Sequence, residues 1–153
     1  MKTYIAVAAI VALLSVTPFR TTDISKLAPV EVVWLAEENG QILLMTDTED
    51  VGRGADVMEA LSDMRATSTG TIFLDTADYL IVEVGAEKFL DQVADILRPS
   101  CMLCQANQMP DLGEAADFFS VHKWDVTLRQ WQNERIALPV FIEEERGFVW
   151  NAS

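Results

Sequence analysis

The sequence predicts an α/β or α+β layer, a mixed β-sheet with about three helices packed on it. Three observations point there. Short apolar runs of strand length alternate with amphipathic segments, the helical segments open on capping residues, and half of the 153 residues are hydrophobic while 23% are charged. Such a chain can bury a core, and its length suits one globular unit. Seven Gly and five Pro are too few for a collagenous or low-complexity chain.

The elements follow in order. Met1 to Val16 reads as a charged n-region, Lys2, and an apolar run from Tyr4 to Leu14 extended by Val16. A spanning helix needs about 20 apolar residues, so residues 1–19 are expected to be a signal peptide or an N-terminal membrane anchor. Ser15-Val16-Thr17 is the nearest small-x-small cleavage match, with Pro18 directly after it. No cysteine precedes Cys101, which excludes a lipid-modified N-terminus in this chain. Residues 20–28 read as a polar linker and 29–153 as a single domain. Val30 to Ala36 and Gln41 to Thr46 flank Asn39-Gly40, the strongest two-residue hairpin signal. Asp56 caps a helix in which Val57, Ala60, Leu61 and Met64 share a face and Glu59 supplies the capping partner.

Ile72 to Leu74 and Tyr79 to Val84 are one bent strand or two short ones around Asp75-Thr76-Ala77-Asp78. Leu90, Val93, Ala94 and Leu97 define a second helix, ended at Arg98-Pro99. Cys101 to Ala106 is a short strand, and Pro110-Asp111 opens a third helix with Leu112, Ala115, Ala116 and Phe119 inward. Trp124, Leu128 and Trp131 fit a continued helical register, while Val126 to Leu128 fits a brief strand. Ile136 to Ile142 and Phe148 to Trp150 close the chain as a hairpin.

A formal net charge of −13 and a pI near 4.3 argue against nucleic acid as a partner and against adhesion to anionic lipid, leaving the N-terminal segment as the only membrane contact. Candidate chemistry is sparse. Ile72-Phe73-Leu74-Asp75-Thr76-Ala77 resembles the Asp-Thr turn of retroviral-type aspartic proteases, in which two subunits each supply an Asp; those enzymes are almost all β, so the string reads better as a strand bend in which Asp75 or Thr76 bonds the local backbone. Cys101 and Cys104 have CxxC spacing. In an extended run, residues three apart lie about 10 Å from each other, beyond the roughly 7 Å reach of a disulfide, so two separate buried thiols are expected. His122, the only histidine, falls at the end of the third helix, where a helix dipole favours it. Asp47 to Gly52 has the acids of a calcium loop, but Val51 takes a ligand position and Met58 stands where a bidentate Glu is needed. Glu143-Glu144-Glu145 reads as a turn. Trp34, Trp124, Trp131 and Trp150 fit core anchoring or a binding face. No catalytic, cofactor-binding or metal site is assigned, and the chain is not expected to be an enzyme.

From Gly54 onward, the strings GADVMEALSDMRATSTGTIFLDTADYLIVEVGAE, FLDQVADILRPSCMLCQA and IALPVFIEEERGFVW resemble the N-terminal domain of the Ger(x)C family, the C subunit of spore nutrient germinant receptors. The likeness spans about 125 residues and departs where Thr76 replaces the family's His and where the lipobox Cys is missing. It implies a stand-alone, divergent version of that domain, exported, extracytoplasmic and non-enzymatic. Its expected work is interaction or assembly with protein partners in the cell envelope, including germination proteins. The rival expectations are an exported small-molecule binding domain and, least favoured, a protease using Asp75.

Overall fold

Asn39 and Gly40 both have positive φ, 53° and 78°, as a type I′ turn demands. They join β2 (Val32–Glu38) to β3 (Gln41–Thr46), the antiparallel hairpin around which the sheet is built. The computed structural model describes residues 27–144 and 147–151. The expected signal or anchor, residues 1–19, lies outside the described residues, and no helix among the described residues is long and apolar enough to cross a membrane. β1 (Leu27–Pro29) precedes the hairpin and β4 (Val51–Gly54) follows it, antiparallel to β3.

The chain then passes through α1 (Val57–Thr67), β5 (Thr71–Phe73) and a single 3-10 turn, Leu74–Thr76, into β6 (Tyr79–Glu83). A 3-10 turn at Glu87–Phe89 and the short α2 (Leu90–Val93) lead to β7 (Met102–Ala106). Beyond it lie α3 (Leu112–Val121), α4 (Leu128–Glu134), β8 (Val140–Glu144) and β9 (Gly147–Asn151). The result among the described residues is a mixed α/β fold, a seven-stranded sheet in the order β4-β3-β2-β6-β7-β8-β9 with four helices. Strands β2, β6, β7 and β8 run parallel, and an antiparallel hairpin closes each flank. β1 and β5 form a separate parallel pair, so the two runs around Asp75 are two strands of different sheets.

Both faces of the central strands are covered, which is why β2 and β6 read as unbroken apolar runs. One face carries Val33, Leu35, Leu80, Val82 and Leu103 against α1, α2 and Leu128 of α4. The other carries Val32, Trp34, Ile81, Cys104 and Phe141 against Leu112, Ala115, Ala116 and Phe119 of α3. Capping holds the helices as expected: the Asp56 carboxylate accepts the Glu59 N–H at 2.8 Å, and Asp111 accepts that of Glu114 at 3.0 Å.

Four differences from the sequence reading have physical causes. Leu27 to Pro29, read in part as linker, pairs with β5. Val51 and Gly52, the end of the acidic loop Asp47 to Gly52, continue through Gly54 as a strand, and Gly52 and Gly54 let α1 lie directly on it. The segment from Leu90 to Leu97 is helical only to Val93 and then tightens into turns, with Ile96 N–H bonding the Val93 carbonyl at 3.0 Å. Trp131 belongs to a fourth helix, opened by a reciprocal cap in which Thr127 and Gln130 bond each other's backbone N–H groups.

Candidate functional site

The parallel order sends the chain from β7 onto one face of the sheet as α3 and returns it as the β8–β9 hairpin at the sheet's edge. That routing gathers aromatic side chains from four elements. Phe119 of α3 lies 5.2 Å from Tyr79 of β6, 4.8 Å from Phe141 of β8 and 4.7 Å from Trp124, ring centre to ring centre. Phe118, one residue earlier, is half-buried and turns outward over the hairpin, 5.7 Å from Phe148 and 6.1 Å from Trp150 of β9. Phe141 and Phe148 stack at 4.8 Å with planes 26° apart. These offset and edge-on arrangements are the ones that ring quadrupoles favour.

The cluster has a dry end and a wet end. At the dry end Phe119 and Phe141 are buried, and burial followed by the charge of Glu31 pushes the Tyr79 phenol up from its ordinary value. Trp124 is anchored by its indole N–H, which donates to the Leu103 carbonyl at 2.5 Å. Trp124 and Trp150 touch at 4.6 Å, so each ring fills the space beside the other. At the wet end Phe118, Phe148 and Trp150 are half-buried and Val149 is exposed. A cavity of about 180 Å³ lies alongside, lined by Asn107, Pro110, Phe141 and Glu143. That is smaller than the roughly 300–1,000 Å³ of ordinary ligand pockets.

β9 is also the sheet's last strand. Among the described residues it pairs with β8 alone, leaving its outer N–H and C=O groups without a neighbour. The opposite edge is managed differently. α1 packs on β4, the Arg53 N–H donates to the Asp63 carboxylate at 2.9 Å, and the Thr67 hydroxyl donates to the Val51 carbonyl at 3.4 Å. Edge strands are commonly blunted by Lys, Pro or a covering element. Gly147-Phe148-Val149-Trp150-Asn151 has neither Lys nor Pro.

The residues singled out in the sequence fall elsewhere. Asp75 is exposed on the 3-10 turn, in an open groove shared with Arg65, Phe73 and Asp95. Thr76 holds the bend, its hydroxyl donating to the Phe73 carbonyl at 2.7 Å and to the Val30 carbonyl at 3.2 Å. Asp78 pairs with Arg98, whose Nε donates to the Ala77 carbonyl at 3.0 Å. His122 caps α3 with its ring against Phe118 at 4.4 Å. The Asp47 carboxylate accepts from the backbone of Glu31 and Val32, and Thr46, Thr48 and Asp50 bond one another. Among the described residues no group of three or more His, Cys, Asp or Glu is placed to hold a metal ion. Trp34 is buried in β2, and Trp131 stands on the other face under the Arg135 guanidinium at 4.2 Å. Glu143 and Glu144 end β8, and Glu145 lies outside the described residues.

Cys101 and Cys104 are free and buried on opposite faces of the sheet, Cys101 in the cluster under α1 and Cys104 under α3. Burial pushes the Cys101 thiol up to about 12 against the opposing pull of Arg98, and burial and then Cys101 raise the Cys104 thiol well above its ordinary value. Both thiols are therefore protonated and inert at neutral pH. Because the folded state holds these protons more tightly than the unfolded chain, their contribution to stability is complete below the ordinary thiol value of 9.0 and is lost as pH rises through about 12. A denaturation midpoint that falls across this alkaline range, with a smaller fall in Cys101→Ala, is the expected result. Labelling of either thiol by a thiol reagent at neutral pH, before unfolding, would contradict it.

Comparison with protein-family models, with curated proteins and with solved structures finds no match to this chain.

Proposed function

We propose that this chain is an exported, non-enzymatic interaction domain of the cell envelope. The observation that carries the reading is the edge of β9, unpaired among the described residues, beside a half-exposed aromatic surface. Half-buried apolar rings next to unpaired backbone donors and acceptors are two ingredients of strand-addition recognition. Export rests on the n-region and apolar run of residues 1–19, and a place in the germination apparatus rests on the Ger(x)C-like order of elements.

The experiment is crosslinking in living source cells with a photoreactive amino acid at position 149, combined with a fusion of residues 1–30 to a reporter active only outside the cytoplasm. Reporter activity and crosslinks to extracytoplasmic proteins are expected, and recovery of germinant-receptor subunits would support the germination role. A silent reporter, or crosslinks confined to cytoplasmic proteins, would overturn the envelope reading.

A further inference from the structure

The β8–β9 hairpin carries a charge pattern as well as an open edge. Register places Glu143 directly across from Phe148 and Glu144 across from Gly147, and directly opposed residues share a face, so one acid lies on each side of the hairpin. On α3, Glu114 and Asp117 are exposed and flank Phe118, the ring that packs on Phe148 and Trp150. Within their ranges α3, β7, β8 and β9 hold these four acids and no Lys or Arg, while Lys123 follows α3 and Glu145 and Arg146, between β8 and β9, lie outside the described residues. A strand added outside β9 would lie about 9–10 Å from β8, within a Debye length or so of its carboxylates.

We infer that β9 receives an extended segment of another protein whose alternate residues are apolar and whose remaining residues include Lys or Arg. This rests on the interaction reading above and names the partner's chemistry. The apolar row would lie beside Phe148 and Trp150, the backbone would pair with the outer edge of β9, and the cations would reach the acids of the hairpin and α3. A second copy of this chain fits worse. It would bring the same four acids and a formal charge of −13 to an equally negative edge, where like charges oppose association. β9 itself bears no charge, so backbone pairing need not bury one.

The test uses the full chain and two short peptides, one alternating Val with Lys and the other Val with Glu. Binding is followed by tryptophan fluorescence and by hydrogen exchange at the β9 amides. The Val/Lys peptide is expected to bind saturably, about tenfold more tightly than the Val/Glu peptide, to slow exchange in β9, and to weaken with added salt. Glu143→Gln with Glu144→Gln should reduce that preference while leaving the unfolding midpoint in place. Phe148→Pro, which removes one of the N–H groups that β9 directs away from β8, should abolish binding by either peptide, beyond any weakening from Phe148→Ala, which keeps that N–H.

Equal affinity for the two peptides would overturn the basic partner. Protection of β9 that appears without peptide and grows with protein concentration would overturn it in favour of a second copy. Binding that leaves β9 exchange unchanged would overturn the edge as the site. In that last case, position-independent crosslinks to envelope proteins would leave the broader interaction reading standing, so the two can fail separately.

Discussion

Gly52→Ala and Gly54→Ala should each lower the free energy of unfolding by about 3 kcal/mol or more, at the upper end for an overpacked core. A Cβ at Gly52 would stand 2.0 Å from the Ala60 carbonyl oxygen and 2.7 Å from the Met64 Cβ. At Gly54 it would meet the Ala60 backbone nitrogen at 2.4 Å. The Ala60 oxygen and nitrogen are main-chain atoms of α1 and the Met64 Cβ is fixed to its backbone, so none can rotate away and the helix would have to lift from β4. Lifting it exposes Val57, Ala60, Leu61 and Met64, all buried, and frees the β4 edge that Asp63 and Thr67 now occupy. Gly40→Ala is the control. Gly40 needs its φ of +78° but has nothing within 4 Å of the added carbon, so about 1–2 kcal/mol of left-handed strain is the whole cost. Denaturant unfolding of the three variants checks the ranking. Equal, small losses would mean that α1 does not sit against β4.

The same pair of glycines shows where the sequence was legible. Local signals were sufficient wherever the cause of an element was local. Asn39-Gly40 specified the first hairpin, Asp56 with Glu59 and Asp111 with Glu114 opened two helices, and buried positions at helical spacing marked their inner faces. β4 was hidden because Val51-Gly52-Arg53-Gly54 has no strand-like alternation of apolar side chains, and its strand character comes from a helix pressing on it from elsewhere in the chain. Glycine at both alternate positions is itself a sign of close approach and was available as a clue. α4 left a clue too, since Thr127-x-x-Gln130 is a capping-box pattern. Leu90 to Leu97 kept the predicted inward face but not the predicted helix, because Arg98 is drawn toward Ala77 and Asp78 and Pro99 follows at once.

The candidate site was less legible than the fold. Trp124 and Trp150 stood out as residue types, but Phe118, Phe141 and Phe148 join them only through the order of strands, a property of pairings between distant segments. Whether β9 is an edge depends on that same order. Cys101 and Cys104 show the opposite case: in an extended run residues three apart lie about 10 Å from each other, beyond the reach of a disulfide, and the two thiols are free and buried in different clusters although β7 itself begins only at Met102.

Phe119→Ala should cost about 3–5 kcal/mol, the range for deleting a large aromatic side chain from a core. Its ring is buried and central, within 4.7–5.8 Å of Tyr79, Trp124, Phe141 and Trp150, so truncation leaves a cavity that four other rings would have to collapse around. Phe148→Ala removes a ring of the same size from the wet end of the cluster. It is half-buried and lies in an edge strand, and a loss of about 1–2 kcal/mol is expected. The difference separates a packing role from a recognition role within one cluster. Phe148→Ala should retain the folded baseline while weakening Val/Lys peptide capture, because the partner's apolar row loses its neighbour. Phe119→Ala should lower the midpoint first, with binding affected only as β9 loosens from α3. Unfolding curves and peptide titrations on the two variants make the comparison direct. Should Phe148→Ala prove as destabilising as Phe119→Ala, the whole aromatic cluster would be interior and β9 would offer a partner only its backbone.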